Sequence, residues 1–223
     1  MPQKINTQAG LLGLGWINGQ TYGGGLSRSR VEWSNRGALE TMVKQDGLFT
    51  YPVQNFGRFS KRAKYLCCAC ALALRDAGVK YSQSRKMPGW GLLHTNFDGC
   101  LSENYGYFAD YIQAGRTLGR GNLFIYTLPT SPAAEAAIHF GLEGPALYYG
   151  FAAKPLPRLA KLGVGMVARR EAPALLLSAG DDQQALCGLI KPGSPGKETT
   201  PETLFDFDGW PAELSAMIQH FSS

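Results

Sequence analysis

The 223-residue sequence has five cysteines, three histidines and fewer acidic than basic residues, and no apolar run in it reaches membrane-spanning length. That shortage excludes a helical membrane protein. The N-terminus lacks the basic-then-apolar order of a secretory signal, so the expected location is the cytoplasm. Three of the cysteines fall together as Cys67-Cys68-x-Cys70 in one helical stretch, with Cys100 and Cys187 apart. Side chains on adjacent helical positions diverge and cannot share a tetrahedral zinc, so buried free thiols are expected. No metal site and no cofactor are predicted. Gly13-Leu14-Gly15, Gly23-Gly24-Gly25 and Gly119-Arg120-Gly121 do not complete a dinucleotide fingerprint, and no phosphate-loop Gly-Lys-Ser/Thr occurs. These glycines read as tight turns. No Gly-x-Ser-x-Gly elbow is present, which removes the usual serine hydrolase. The net charge of +5 permits an acidic partner without marking a nucleic-acid binder.

What is present is a 44% hydrophobic chain, enough for one buried core, and residues 1–223 are read as a single domain. Short apolar runs at 11–17, 89–95, 146–152, 174–179 and 185–190 predict five strands, with a Gly-rich loop at 22–25. Phe59, Ala63, Leu66, Cys70 and Leu74 recur at helical steps and predict a helix over 59–77, stopped by Gly78. A helix over 103–114 carries Tyr107, Phe108 and Tyr111 on one aromatic side. Ser131, Pro132 and Gly141 bound a short, alanine-rich helix. Another helix is expected over 157–170, then a surface linker over 191–210 and a helix over 211–221 with Leu214, Met217, Ile218 and Phe221 on one face. Alternating strands and helices predict an α/β fold, a three-layer αβα unit around a mixed, mostly parallel five-stranded sheet.

Gly144-Pro145 followed by an apolar strand, a Pro-marked helix start and a second apolar strand resembles the N-terminal half of the β-ketoacyl synthases. Tyr126-Thr127-Leu128-Pro129 and the entry Arg58-Phe59-Ser60 share the resemblance, which spans about residues 9–190 and is weakest over 28–55. It implies half of a thiolase-like fold. In that family the catalytic Cys stands nine residues after the Gly, and the count from Gly144 reaches Ala153. Ala153 cannot hold an acyl group. Pro155 and Pro157 remove N–H donors at the helix start, and the family's catalytic His and Lys residues lie in a half that would begin where this sequence stops.

The resemblance therefore implies a non-catalytic subunit akin to the short chain-length factors of aryl polyene and polyketide pathways. Such a subunit pairs with an active β-ketoacyl synthase as a heterodimer and shapes its acyl tunnel. Tyr107, Phe108, Tyr111, Leu128 and Tyr148 are the implied tunnel and interface residues. Arg158, Lys161 and Arg169 form a basic stripe on the helix after Ala153, either merely solvated or facing an acidic partner such as an acyl carrier protein. Two alternatives stay open. One is an enzyme of the same fold with Cys100 or Cys68 as nucleophile; His94, near Asp98 and Cys100, offers the one conceivable Cys–His pair, although Cys100 has no recognisable helix N-terminus beside it. The other is a homodimeric module binding acyl or carrier-protein ligands.

Overall fold

A Cβ on Gly13 would stand 2.3 Å from the carbonyl oxygen of Ala73, and one on Gly15 would stand 2.3 Å from the nitrogen of Ala73. Only glycine at these two positions of β1 (Ala9–Ile17) lets α2 (Lys61–Asp76) lie directly on the strand. These are close-approach glycines inside a strand, not the tight turn expected from their sequence. The computed structural model describes residues 9–33, 38–150, 155–193, 215–216 and 218–219. Ser60 caps α2 by accepting from the Ala63 N–H at 3.3 Å, and Gly78 follows its end at φ +67°.

After β1 come β2 (Thr21–Gly24), β3 (Ser29–Glu32), α1 (Leu39–Gln45) and α2, then β4 (Gly91–Thr95) and α3 (Leu101–Gln113). The order continues with α4 (Gly121–Phe124), α5 (Ser131–Phe140), β5 (Ala146–Tyr148), α6 (Pro155–Ala168), β6 (Leu175–Gly180) and β7 (Ala185–Pro192). One sheet has the order β3-β2-β1-β7-β6-β4-β5. A core of α2 and α5 residues covers one face, and Leu156, Leu159, Ala160 and Val167 of α6 cover the other with Leu175 and Leu177. The αβα layering is as expected.

The sheet has seven strands rather than five, because Tyr22-Gly23-Gly24 is a strand and not a loop. Glycine is a poor strand former, but here Gly23 pairs with Trp16 on one side and Arg30 on the other, and a Cβ on it would stand 1.9 Å from the Ser29 carbonyl oxygen. Nor is the sheet mostly parallel: only β4–β5 and β4–β6 are parallel, and the other four pairings are antiparallel. β6 and β7 are joined by a tight turn in which Asp181 Oδ1 accepts from the N–H groups of Gln183 and Gln184, and so short a link can join only antiparallel neighbours. The strand expected over 146–152 ends at Tyr148, and α6 starts two residues before the expected position.

The strand β7 takes the first residues of the expected linker, as far as Pro192; the rest lies outside the described residues. Of the expected C-terminal helix, Ser215, Ala216, Ile218 and Gln219 are described and helical, and Ile218 is buried in the α6 core. Leu214, Met217 and Phe221 lie outside the described residues. No helix among the described residues is long and apolar enough to cross a membrane.

Candidate functional site

The helix α3 buries none of its residues. Leu101, Tyr105, Phe108 and Ile112 recur at steps of three and four along it, a spacing that makes one stripe, and each is at least half exposed. Phe97, Leu118, Phe124, Ile125 and Leu128 extend the exposed apolar surface. Tyr107 and Tyr111 sit on another side of the helix, half-buried and stacked at 6.4 Å, with Tyr107 edge-on to Phe124 of α4 at 5.6 Å. Large exposed apolar patches are typical of contact surfaces. The sequence reading chose Tyr107, Phe108, Tyr111 and Leu128 by their aromatic or motif character; it missed Leu101, Tyr105 and Ile112, which the helical period alone would have shown.

Among the described residues, β5 is an edge strand with no neighbour on its outer side. Both edge strands are short, but β3 carries Arg30 and Glu32, charges that discourage edge pairing, whereas β5 presents Ala146 and Leu147 to solvent. The end of β5 is tied to the β4–α3 loop. Tyr148 Oη donates to Asn96 Oδ1 at 3.1 Å, and Thr95 Oγ1 donates to the Tyr149 carbonyl at 2.7 Å.

Beneath the edge, at the carboxyl ends of β4 and β6, a buried polar group has formed. His94 Nδ1 lies 3.1 Å from Ser178 Oγ, and His94 Nε2 is buried without a hydrogen-bond partner among the described residues. Burial, with Arg62 nearby, pulls the His94 pKa down to about 3, so the ring is neutral at any physiological pH. Arg62 itself is held between Asp98, at 2.8 Å, and Glu103, at 3.4 Å. Cys100 belongs to this cluster and is the N-cap residue of α3, contrary to the sequence reading that no helix starts beside it. The helix end does not activate it: burial, aided by Glu103 and opposed by Arg62, pushes the thiol up to about 12. Cys67, Cys68 and Cys70 are fully buried in α2, and burial raises each thiol well above its ordinary value. None of these four is poised as a thiolate. Among the described residues no three His, Cys, Asp or Glu side chains converge as metal ligands.

No protein-family model matches the chain, and no curated protein matches it in sequence. Solved structures do match in shape. A β-ketoacyl synthase from Burkholderia phymatum superposes with TM-score 0.60 at 12% identity, over 84% of this chain and 59% of that one. The ishigamide ketosynthase/chain length factor gives 0.59 at 11% identity, over 83% and 58%. The ketosynthase ApeO in complex with its chain length factor ApeC, from Xenorhabdus doucetiae, gives 0.52 at 13%, over 79% and 76%. The chain has a ketosynthase fold. It spans less than three fifths of the length of the first two of these neighbours.

Within that ketosynthase-like fold, Ala153 lies outside the described residues, just before α6 begins at Pro155. Arg158 and Lys161 lie exposed on α6, and Arg169 lies exposed in the turn just past its end. Arg169 is not free: its Nε donates to Glu171 Oε1 at 2.5 Å, and the carboxylate offsets its positive charge at that end. Tyr148 is half-buried at the sheet edge, away from the α3 stripe in sequence but joined to the α3 loop through Asn96.

Proposed function

We propose that this chain is a non-catalytic ketosynthase-like subunit that pairs with an active β-ketoacyl synthase and shapes its acyl tunnel, as a chain-length factor does. One observation carries the reading: among the described residues, the exposed stripe of Leu101, Tyr105, Phe108 and Ile112 and the apolar edge strand β5, which is tied to the loop that enters α3, are both left without cover. An isolated soluble chain gains nothing by leaving both wet. A partner that adds a strand to β5 and lays apolar surface over α3 covers both at once. The fold likeness to structures of ketosynthases with their chain length factors supports this choice of partner.

The mechanism is steric. Side chains of α3 and the following turn reach the partner's tunnel, and the growing chain stops where Phe108, Tyr111 or Leu128 closes it. Ala153 at the nucleophile position, and thiols held protonated at Cys68 and Cys100, leave the condensation to the partner's cysteine. The exposed Arg158, Lys161 and Arg169 fit an acyl carrier protein as a further, acidic partner, and the chain alone forms a homodimer through the same face if it dimerises at all. The test is co-expression with the ketosynthase encoded nearest to it. The reading expects a stable heterodimer and longer products when Phe108, Tyr111 or Leu128 is cut to Ala. A monodisperse chain that ignores the ketosynthase, or unchanged product lengths in all three partner-bound variants, rejects it.

A further inference from the structure

The segment 47–57, which follows α1, is tied to the body by hydrogen bonds. Arg75 Nη2 donates to the carbonyls of Gly47 and Leu48 at 2.9 and 3.0 Å, Thr50 Oγ1 donates to the Tyr81 carbonyl at 3.0 Å, and Tyr51 Oη donates to the His139 carbonyl. Between this segment and α1 lies an open groove of about 710 Å³. Val43, Phe49, Tyr51, Pro52, Val53 and Phe56 form its walls. That volume falls in the range of small-molecule sites, and the hydrogen bonds at its base mean that little ordering is left for a ligand to bring about.

The polar groups at the rim decide what fits. Glu40 is neutralised by Lys64, whose Nζ stands 2.6 Å from Glu40 Oε1, and Thr50 is occupied by Tyr81. Lys44, in the last turn of α1, is exposed and has no acidic partner among the described residues. Lys44 lines the same groove as a set of aromatic rings, of which Phe49 and Phe56 lie edge-to-face at 5.7 Å. We propose that this groove binds a small aromatic carboxylate, its rings against Phe49, Tyr51 and Phe56 and its carboxylate on Lys44. A flat ring presents its edge or face to such walls, and a carboxylate on an ammonium gives a charge-assisted contact that a neutral ligand lacks.

A second observation points the same way. A smaller pocket of about 150 Å³ adjoins the groove, sharing Tyr51, Pro52, Val53 and Asn55, and it is lined by His139. The Nε2 of His139 is buried and has no hydrogen-bond partner among the described residues. A polar substituent on the ligand would meet an unsatisfied group there. The site shares no lining residue with the α3 face or with β5.

The experiment is a titration of the full chain with 2-naphthoate, followed by amide chemical shifts. Saturable shifts are expected in 43–57, with affinity lowered about tenfold or more by Lys44→Glu, the fold-change of one lost charge-assisted contact. The uncharged 2-naphthamide should be weaker on the wild type by a similar factor, a comparison that needs no variant to fold, and Phe56→Ala should weaken both ligands. Absence of shifts in 43–57 at millimolar ligand, shifts confined to 97–128, or equal affinity for naphthoate and naphthamide would overturn the proposal.

Discussion

Arg62 in the first turn of α2 and Asp98 in the β4–α3 loop form a two-pronged pair, Nη1 to Oδ1 at 2.8 Å and Nη2 to Oδ2 at 3.2 Å, with the Arg62 side chain only 1% exposed. Burial works against the guanidinium charge, and the hydrogen bonds to Asp98 and the charge of Glu103 outweigh it. The relationship matters because α3 buries no side chain of its own. Among the contacts that tie it to the body are this pair in the loop before it, Glu103 Oε1 at 3.4 Å from Arg62 Nε, and Asn104 Nδ2 donating to the Thr127 carbonyl at 3.4 Å.

Arg62→Met should therefore destabilise the chain by about 3 kcal/mol, since removing one partner strands the others as uncompensated charges, with some relief because Asp98 is a third exposed. Urea unfolding of Arg62→Met, Asp98→Asn and the double variant measures it. Additive losses would mean that the pair contributes no coupling.

Exposure separates the α3 aromatics from core residues. Phe108→Ala should change stability by less than about 1 kcal/mol, whereas Phe140→Ala, which removes a fully buried ring, should cost about 3–5 kcal/mol. Thermal melts of the two variants check this. Comparable losses would place Phe108 in a core.

The thiols give a labelling prediction. Native protein at neutral pH should react slowly with iodoacetamide at Cys68 and Cys100, and all five cysteines should label once urea unfolds the chain. Rapid single-site labelling of either residue in the native state would revive the alternative of an enzyme with its own nucleophile.

Acid should destabilise the chain through its buried histidines. The pKa of His94 falls to about 3, through burial and Arg62, and that of His139 to about 4, through burial alone. Both values lie below the roughly 6.5 of an unfolded chain, so the unfolded state binds more protons and stability declines as pH drops from about 6.5 towards 4. The loss should reach several kcal/mol by pH 4 and be smaller in His94→Gln, if that variant folds, or in His139→Phe. Urea midpoints from pH 7 to 4 provide the measurement, and a flat profile would contradict neutral burial of the rings.

Several features were legible in the sequence because they depend on local pattern. The helical period from Phe59 to Leu74, the stop at Gly78 and the apolar runs that became β1, β4, β6 and β7 all express local pattern, and so does the αβα layering. The phrasing around Gly144 and Tyr126 pointed to the ketosynthase fold that the structural likenesses bear out. What only the tertiary structure decided depends on neighbours distant in sequence. Gly23 is a strand residue because Trp16 and Arg30 flank it, and β7 runs antiparallel because a four-residue turn from Asp181 leaves it no other direction. Cys100 is held protonated because burial, aided by Glu103 and against the pull of Arg62, acts on its thiol, and that burial comes from residues distant in sequence. Hydrophobicity alone could not tell a core aromatic from an exposed one: the chain marks Phe108 and Phe140 alike as apolar, and what sets them apart is the packing of α5 against α2, while Phe108 on α3 stays exposed.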